Sequence, residues 1–373
     1  MKSGCSCVLR IAVLAPIAWR VPPRHYGPWV LFASLLTEGL VARGHEVTLF
    51  ATGDSVTNAK LHSVVPTSWN ENPDCEPKVE ECQHIAAVFE RADEFDIIHN
   101  SFDFLPLTFT RLVDTPTVTT IHGFSSDRIV EVYRRYNANN TYISISDRDR
   151  HPSLTYAATV HHGLNTGEFQ VDPTPGPDLL FFGRIHPDKG TALAIEVARR
   201  SGRRLVIAGI IQDEQYFREK VEPHVDGDRV SFVGALGGSE RLRALRHAHA
   251  LLHLIDFEEP FGFSVVEALA SGTPVIAFDR GSMTEIIEHG VTGFVVDDTD
   301  AAVEAVGLVA ELDRVAIRDR AIARFDVGRM VDSYLNVYAA VLRARSEQRR
   351  PDGAVASPEL DPEVVNRRPA VGR

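Results

Sequence analysis

"LLFFGRIHPDKGTALAIEVA", Leu179 to Ala198, decides how this 373-residue chain is read. An apolar run ends at Gly183, a loop carries Arg184 and Lys189, and after Gly190 apolar residues recur at helical spacing until Gly202. A short, continuous apolar run suits a strand buried on both faces of a parallel sheet. A glycine-bounded loop leading from it into an amphipathic segment is the repeating unit of such sheets. Arg184 and Lys189 then project from the carboxyl end of the strand. The lysine stands out by rarity: only five of the 39 basic residues are lysine (Lys2, Lys60, Lys78, Lys189, Lys220). Two fixed cations there can neutralise a diphosphate, although a solvated basic loop is the plainer alternative.

Similar runs extend in both directions. Upstream lie "LRIAVLAP", "HEVTLFAT", "FDIIHN", "PTVTTIHG", "TYISIS" and "ATVHHG"; downstream follow "RLVIAGI", "VSFVGAL", "ALLHLI", "PVIAF" and "GFVV". Helix-patterned segments such as "VLFASLLTEGLVARG" separate them. The composition shifts at "QVDPTPGPD", where three prolines and a glycine mark a linker. The fold class is therefore α/β, with two Rossmann-like doubly wound domains of about six strands each facing a cleft. The expected organisation is a first domain over 1–170, a linker over 171–178, a second domain over 179–328, a terminal helix over 329–345 and a disordered tail over 346–373.

Bulk composition narrows the partners. Hydrophobic residues make up 44% and charged residues 24%, the range of soluble globular chains. A formal charge of −12 argues against nucleic acid, which needs a concentrated basic face. No apolar run reaches the length of a membrane span, and Arg10 interrupts the run that could imitate an export signal. Four cysteines, Cys5, Cys7, Cys75 and Cys82, do not make a disulfide framework in a chain of this size. A cytoplasmic protein is expected.

A second stretch carries chemistry: "FEEPFGFSVVEALASGTPVI", Phe257 to Ile276. "ALLHLI" reads as a strand, "DFEEPFG" as the loop after it, and "FSVVEALAS" as a short helix. The unpaired amides at Gly262, Phe263 and Ser264, with the helix dipole, suit a phosphate. Carboxylates repel phosphate, so Glu259 and Glu267 on either side of that turn make sense as acceptors for sugar or ribose hydroxyls. Each acid alone reads equally well as a solvated loop acid or a first-turn acid.

Together, "FFGRIHPDKG" and "EEPFGFSVVEALASGTPVIA" resemble the paired signature of retaining glycosyltransferases of family 4, which have the GT-B fold. The likeness runs from "RIAVLAP" through the terminal helix and fails in the tail. It implies that Arg184 and Lys189 hold the donor diphosphate, with Glu259 near the hydroxyls of the transferred sugar and Glu267 on the ribose. The backbone of Gly262, Phe263 and Ser264 would meet sugar and phosphate. His122, in "TVTTIHGFSS", matches a first-domain histidine facing the donor sugar, although a histidine ending a strand is more often structural.

The family's first loop often carries a Gly-Gly pair; here "RHYGPWV" keeps Gly27 as a donor-side candidate but places Pro28, which has no N–H, in the second position. Arg24, His25 and Asp103 are acceptor-side candidates. The implied activity is retaining, metal-independent hexosyl transfer from a nucleotide sugar to a hydroxyl acceptor, forming an α linkage and using no cofactor. Residues 1–170 hold 14 Lys and Arg against 19 Asp and Glu, which favours a soluble acceptor over a lipid-linked one. Asp147-x-Asp149, in "ISISDRDR", resembles the metal-binding acids of the GT-A fold but reads better as a serine-capped helix start. His247, His249 and His253 span a helix-to-strand change and do not suit a metal. A nucleotide-sugar epimerase or isomerase of similar fold, and a non-enzymatic ligand binder, are the rival classes.

Overall fold

A computed structural model describes residues 8–24, 27–174 and 176–348. Cys5, Cys7, His25 and the expected tail past 348 lie outside the described residues. The first lobe holds β1 (Arg10–Leu14), β2 (Glu46–Phe50), β3 (Lys60–His62), β4 (Ile97–Asn100), β5 (Thr117–Ile121), β6 (Asn140–Ser144) and β7 (Tyr156–Thr159). They form one parallel sheet ordered β3-β2-β1-β4-β5-β6-β7. The second lobe holds β8 (Leu179–Phe182), β9 (Leu205–Ala208), β10 (Val230–Gly234), β11 (Ala250–His253), β12 (Val275–Phe278) and β13 (Gly293–Val296). Their order is β10-β9-β8-β11-β12-β13, again parallel. The architecture is thus two doubly wound Rossmann-like sheets. The strand beyond the expected six, β3, is an edge strand of three residues, "KLH", too short and too polar to register as an apolar run.

Burial follows the pattern of the strands. In β8, Leu179 and Phe181 enter one core with Ala194, Ile195 and Ala198 of the helix Thr191–Ser201. Leu180, pointing the other way, joins Val265, Val266 and Leu269 of the helix Phe263–Ala270. Both sheet faces are covered, as a continuous apolar run requires.

The chain passes from the first lobe to the second beside Leu164 and returns at Asp326, and the two crossings touch. Leu164 N–H donates to the Phe325 carbonyl at 2.7 Å, and Val327 N–H donates to the Leu164 carbonyl at 2.8 Å. At the start of the expected linker, the Asp172 carbonyl accepts from Arg314 of the second lobe at 2.8 Å. The terminal helix, Val327–Gln348, exceeds the expected 329–345 at both ends. Its Met330, Val331, Tyr334 and Tyr338 complete the core of the first lobe against Phe32, Leu36 and Leu40. Buried hydroxyls fix the seam: Tyr334 lies 2.8 Å from Thr120 Oγ1, and Tyr338 lies 2.8 Å from His99 Nδ1.

One local expectation fails. "SDRDR" after β6 does not begin a helix; residues 145–149 form bends and a turn. Ser146 Oγ accepts from Asp149 N–H at 3.1 Å, as a cap would. The neighbouring amides, Asp147 and Arg148, are instead taken by the Glu285 carboxylate of the second lobe at 2.9 and 2.6 Å. A partner from the second lobe outcompetes the local helix.

Candidate active site

β8 and β11 are neighbours in the second sheet although about 70 residues separate them, and the helices that follow them pack on opposite faces. Such a point opens a crevice at the carboxyl ends of the strands. The loop after β8 carries Arg184 and Lys189; the loop after β11 carries Phe257 to Gly262. A cleft of about 370 Å³ lies there, walled by both lobes.

Lys189 Nζ donates to Glu259 Oε2 at 3.1 Å and sits 4.2 Å from the centre of the Phe257 ring. Each side chain of the pair is only 15% exposed, so water screens their attraction far less than at a surface pair. His253, at the end of β11, places Nε2 3.7 Å from the same carboxylate oxygen. Burial pulls its pKa down to about 4, so it is neutral at pH 7. Arg184 donates to Gln212 and lies 3.7 Å from Asp188, held at the rim rather than on Glu259.

The Glu259 loop is fixed from beneath. Ser282 N–H donates to the Glu259 carbonyl at 2.9 Å, and Gly281 N–H donates to Glu258 at 2.6 Å. Gly281 has φ +55°, and a Cβ there would lie 2.2 Å from the Glu259 carbonyl oxygen. Gly262, at φ +89°, is the left-handed residue that turns the chain into the helix Phe263–Ala270. The amides of Phe263 and Ser264 therefore open the helix toward the cleft without an intrahelical acceptor.

Glu267 is almost fully buried at 4% exposure, and its partner, Arg241, is not marked by any sequence pattern. Arg241, on the helix Gly238–His247, donates to its carboxylate. Burial pushes the Glu267 pKa up, and Arg241 opposes that without cancelling it. "SERLRALRH" reads as an ordinary solvated helix face in an arginine-rich chain, which hid Arg241.

Across the cleft, His122 ends β5. Its Nε2 is 2.8 Å from Ser101 Oγ, its Nδ1 is 3.3 Å from His162 Nε2, and the Trp29 ring stacks on it at 5.3 Å. Burial and the neighbouring imidazoles of His162 and His99 lower its pKa well below the ordinary value. His162 in turn lies nearly parallel to the Phe263 ring, with centroids 4.9 Å apart, joining the lobes at the helix start. Neither His162 nor Trp29 is marked by sequence pattern: one sits in an apolar "ATVHHG" run, the other in a helix start.

The structure thus gathers Arg184, Lys189, Glu259, Gly262, Phe263, Ser264, Glu267, His122 and Gly27 around one cleft. Arg24 and Asp103 are not among its lining. Arg24 pairs with Glu71 at 3.1 Å and Asp54 at 3.4 Å. Asp103 turns inward to accept from the Tyr133 hydroxyl at 2.7 Å, and burial raises its pKa.

Comparison with known proteins follows the two lobes. Residues 32–152 match the model for Glycosyltransferase Family 4, and residues 168–323 match that for glycosyl transferases group 1. A phosphatidyl-myo-inositol mannosyltransferase of Mycobacterium leprae is 24% identical over 382 residues, covering 91% of this chain and 99% of that protein. The crystal structure of AviGT4, a glycosyltransferase involved in avilamycin A biosynthesis, superposes with TM-score 0.68 at 26% identity, covering 90% of this chain and 98% of that one. Anabaena HepE, in complex with UDP and glucose, shares the fold with TM-score 0.68 at 18% identity, covering 89% and 100% of the two chains.

Proposed function

For a chain that belongs to the GT-B glycosyltransferases of the family 4 type, we propose retaining transfer of a sugar from a nucleoside-diphosphate donor to an acceptor hydroxyl, without a metal ion. The observation that carries this reading is the meeting of Lys189 and Glu259 beside the open amides at Gly262, at the switch point of the second sheet. A cation, an acid and a helix start in one place suit a sugar joined to a phosphate.

In this reading the diphosphate lies against Lys189, Arg184 and the amides of Phe263 and Ser264, which stabilise the charge that grows as the glycosidic C–O bond lengthens. Glu259 accepts from hydroxyls of the sugar, and His122, neutral and oriented by Ser101 and His162, faces it from the other lobe. The buried Glu267 accepts from the ribose through the oxygen that Arg241 leaves free. An acceptor hydroxyl attacks on the face the diphosphate leaves; a phosphate oxygen takes its proton. The product keeps the donor's anomeric configuration, an α linkage from an α donor. Closure of the lobes keeps water from competing.

The test is a panel of nucleotide sugars, beginning with UDP-glucose, read by released nucleotide and by the anomeric proton signal of the product. An inverted anomeric centre would overturn the retaining mechanism. Conversion of the donor sugar with no acceptor present would point to an epimerase instead.

A further inference from the structure

The two walls of the cleft differ in charge. Among the described residues, all its charged side chains come from the second lobe: Arg184, Lys189, Arg241, Glu259 and Glu267. Among the described residues, the first lobe lines it with Pro23, Pro28, Trp29, Leu31 and Ile145, besides glycine and two histidines. His122 and His162 are both held neutral by burial, His162 with a pKa near 3. Of the other charged groups on that lobe, Arg24 is paired with Asp54 and Glu71, and Asp149, which feels Glu259, is an acid rather than a cation. Trp29 stands on the first turn of the helix Pro28–Ala42, half-buried, with its indole stacked on His122 at an interplanar angle of 23°. A phosphorylated or carboxylated acceptor would have to leave water with no cation among the described first-lobe residues of the lining to receive it, which is costly. A flat indole offers contact area to the C–H face of a ring at low entropic cost.

We propose that Trp29, with Pro23 and Pro28, forms the acceptor platform, and that the acceptor is an uncharged, ring-shaped polyol such as a sugar or glycoside. The proposal rests on the transfer reading given above and adds the chemical class of the second substrate. In the step, the acceptor oxygen bonds to the anomeric carbon as the bond from that carbon to the diphosphate oxygen breaks. The hydroxyl proton goes to the departing diphosphate, so nothing further is consumed.

The experiment compares methyl glucoside, its 6-phosphate and glycerol as acceptors, with the nucleotide sugar that the panel shows to be turned over. The neutral ring is expected to exceed both others at least tenfold in kcat/KM. Trp29→Ala should raise the acceptor KM about tenfold while shifting the Kd for the free nucleotide less than twofold, and Trp29→Phe should restore most of the loss. Equal or better use of the phosphorylated ring or of glycerol would overturn the proposal. So would a Trp29→Ala variant that leaves the acceptor KM unchanged, or one that weakens nucleotide binding as much as acceptor binding. If no nucleotide sugar is turned over at all, the transfer reading itself fails, a different outcome from a wrong acceptor class.

Discussion

Replacing Lys189 separates two roles that the structure superimposes. The ammonium touches Glu259 at 3.1 Å in a site where both side chains are 15% exposed. Coulomb attraction at that distance, with an effective dielectric constant of 20, is about 5 kcal/mol before the cost of desolvation. Lys189→Met removes that attraction and leaves Glu259 with His253 at 3.7 Å, an imidazole that burial, more than Lys189, holds neutral. If the lysine served only to hold Glu259, the double variant Lys189→Met/Glu259→Gln would be no slower than Glu259→Gln alone, because an amide needs no counter-charge. If it also stabilises the departing diphosphate, loss of one such donor costs on the order of a hundredfold in kcat, and the double variant stays slower than Glu259→Gln by about that factor. The assay is single-turnover release of nucleotide, with folding followed by thermal denaturation of each variant. Near-normal kcat in Lys189→Met, or a double variant as fast as Glu259→Gln alone, would refute the leaving-group role.

Three further outcomes are expected. Gly281→Ala should lower stability by at least about 2 kcal/mol and reduce activity, because the new Cβ meets the Glu259 backbone at a positive φ; thermal melts and kcat check both. Asp149 titrates near 7, raised first by burial and then by Glu259 and Glu285. The unfolded chain ionises this acid near 4 and the folded chain near 7, so the wild type loses stability relative to Asp149→Asn as pH rises from 4 to 7. The difference is at most about 1.4 kcal/mol per pH unit and flat above 7; parallel denaturant curves would contradict it. Chelation with EDTA should leave turnover unchanged, since Asp147 is occupied by Thr159 and lies 3.8 Å from Arg150, and a strict requirement for a divalent ion would revive Asp147-x-Asp149 as a metal site.

Much of the site was legible because its residues follow strands. Arg184, Lys189 and Glu259 each stand just after an apolar run, and a parallel sheet delivers such positions to one edge. The turn at Gly262 was legible because a glycine between a loop and a helical pattern has few other uses. What escaped reading depends on distant packing. Arg241 meets Glu267 only because two helices adjoin, and His162 meets Phe263 only because the lobes do. Asp103 and Arg24 looked available from their loops, yet a tyrosine from the helix Asp127–Tyr136 and two acids take them up. The helix expected after Ser146 was lost to Glu285, 138 positions away.

The return of the terminal helix to the first lobe bears on how the protein is made. Tyr334 and Tyr338 fill a core shared with Phe32, Leu36 and Leu40, which are synthesised some 300 residues earlier. During translation the N-terminal half must therefore wait, with Phe32, Leu36 and Leu40 uncovered, until the second lobe has emerged and the last helix can swing back. A fragment ending between the lobes would expose that gap to solvent, whereas residues 8–165 joined directly to 327–348 would carry all the parts of a closed unit.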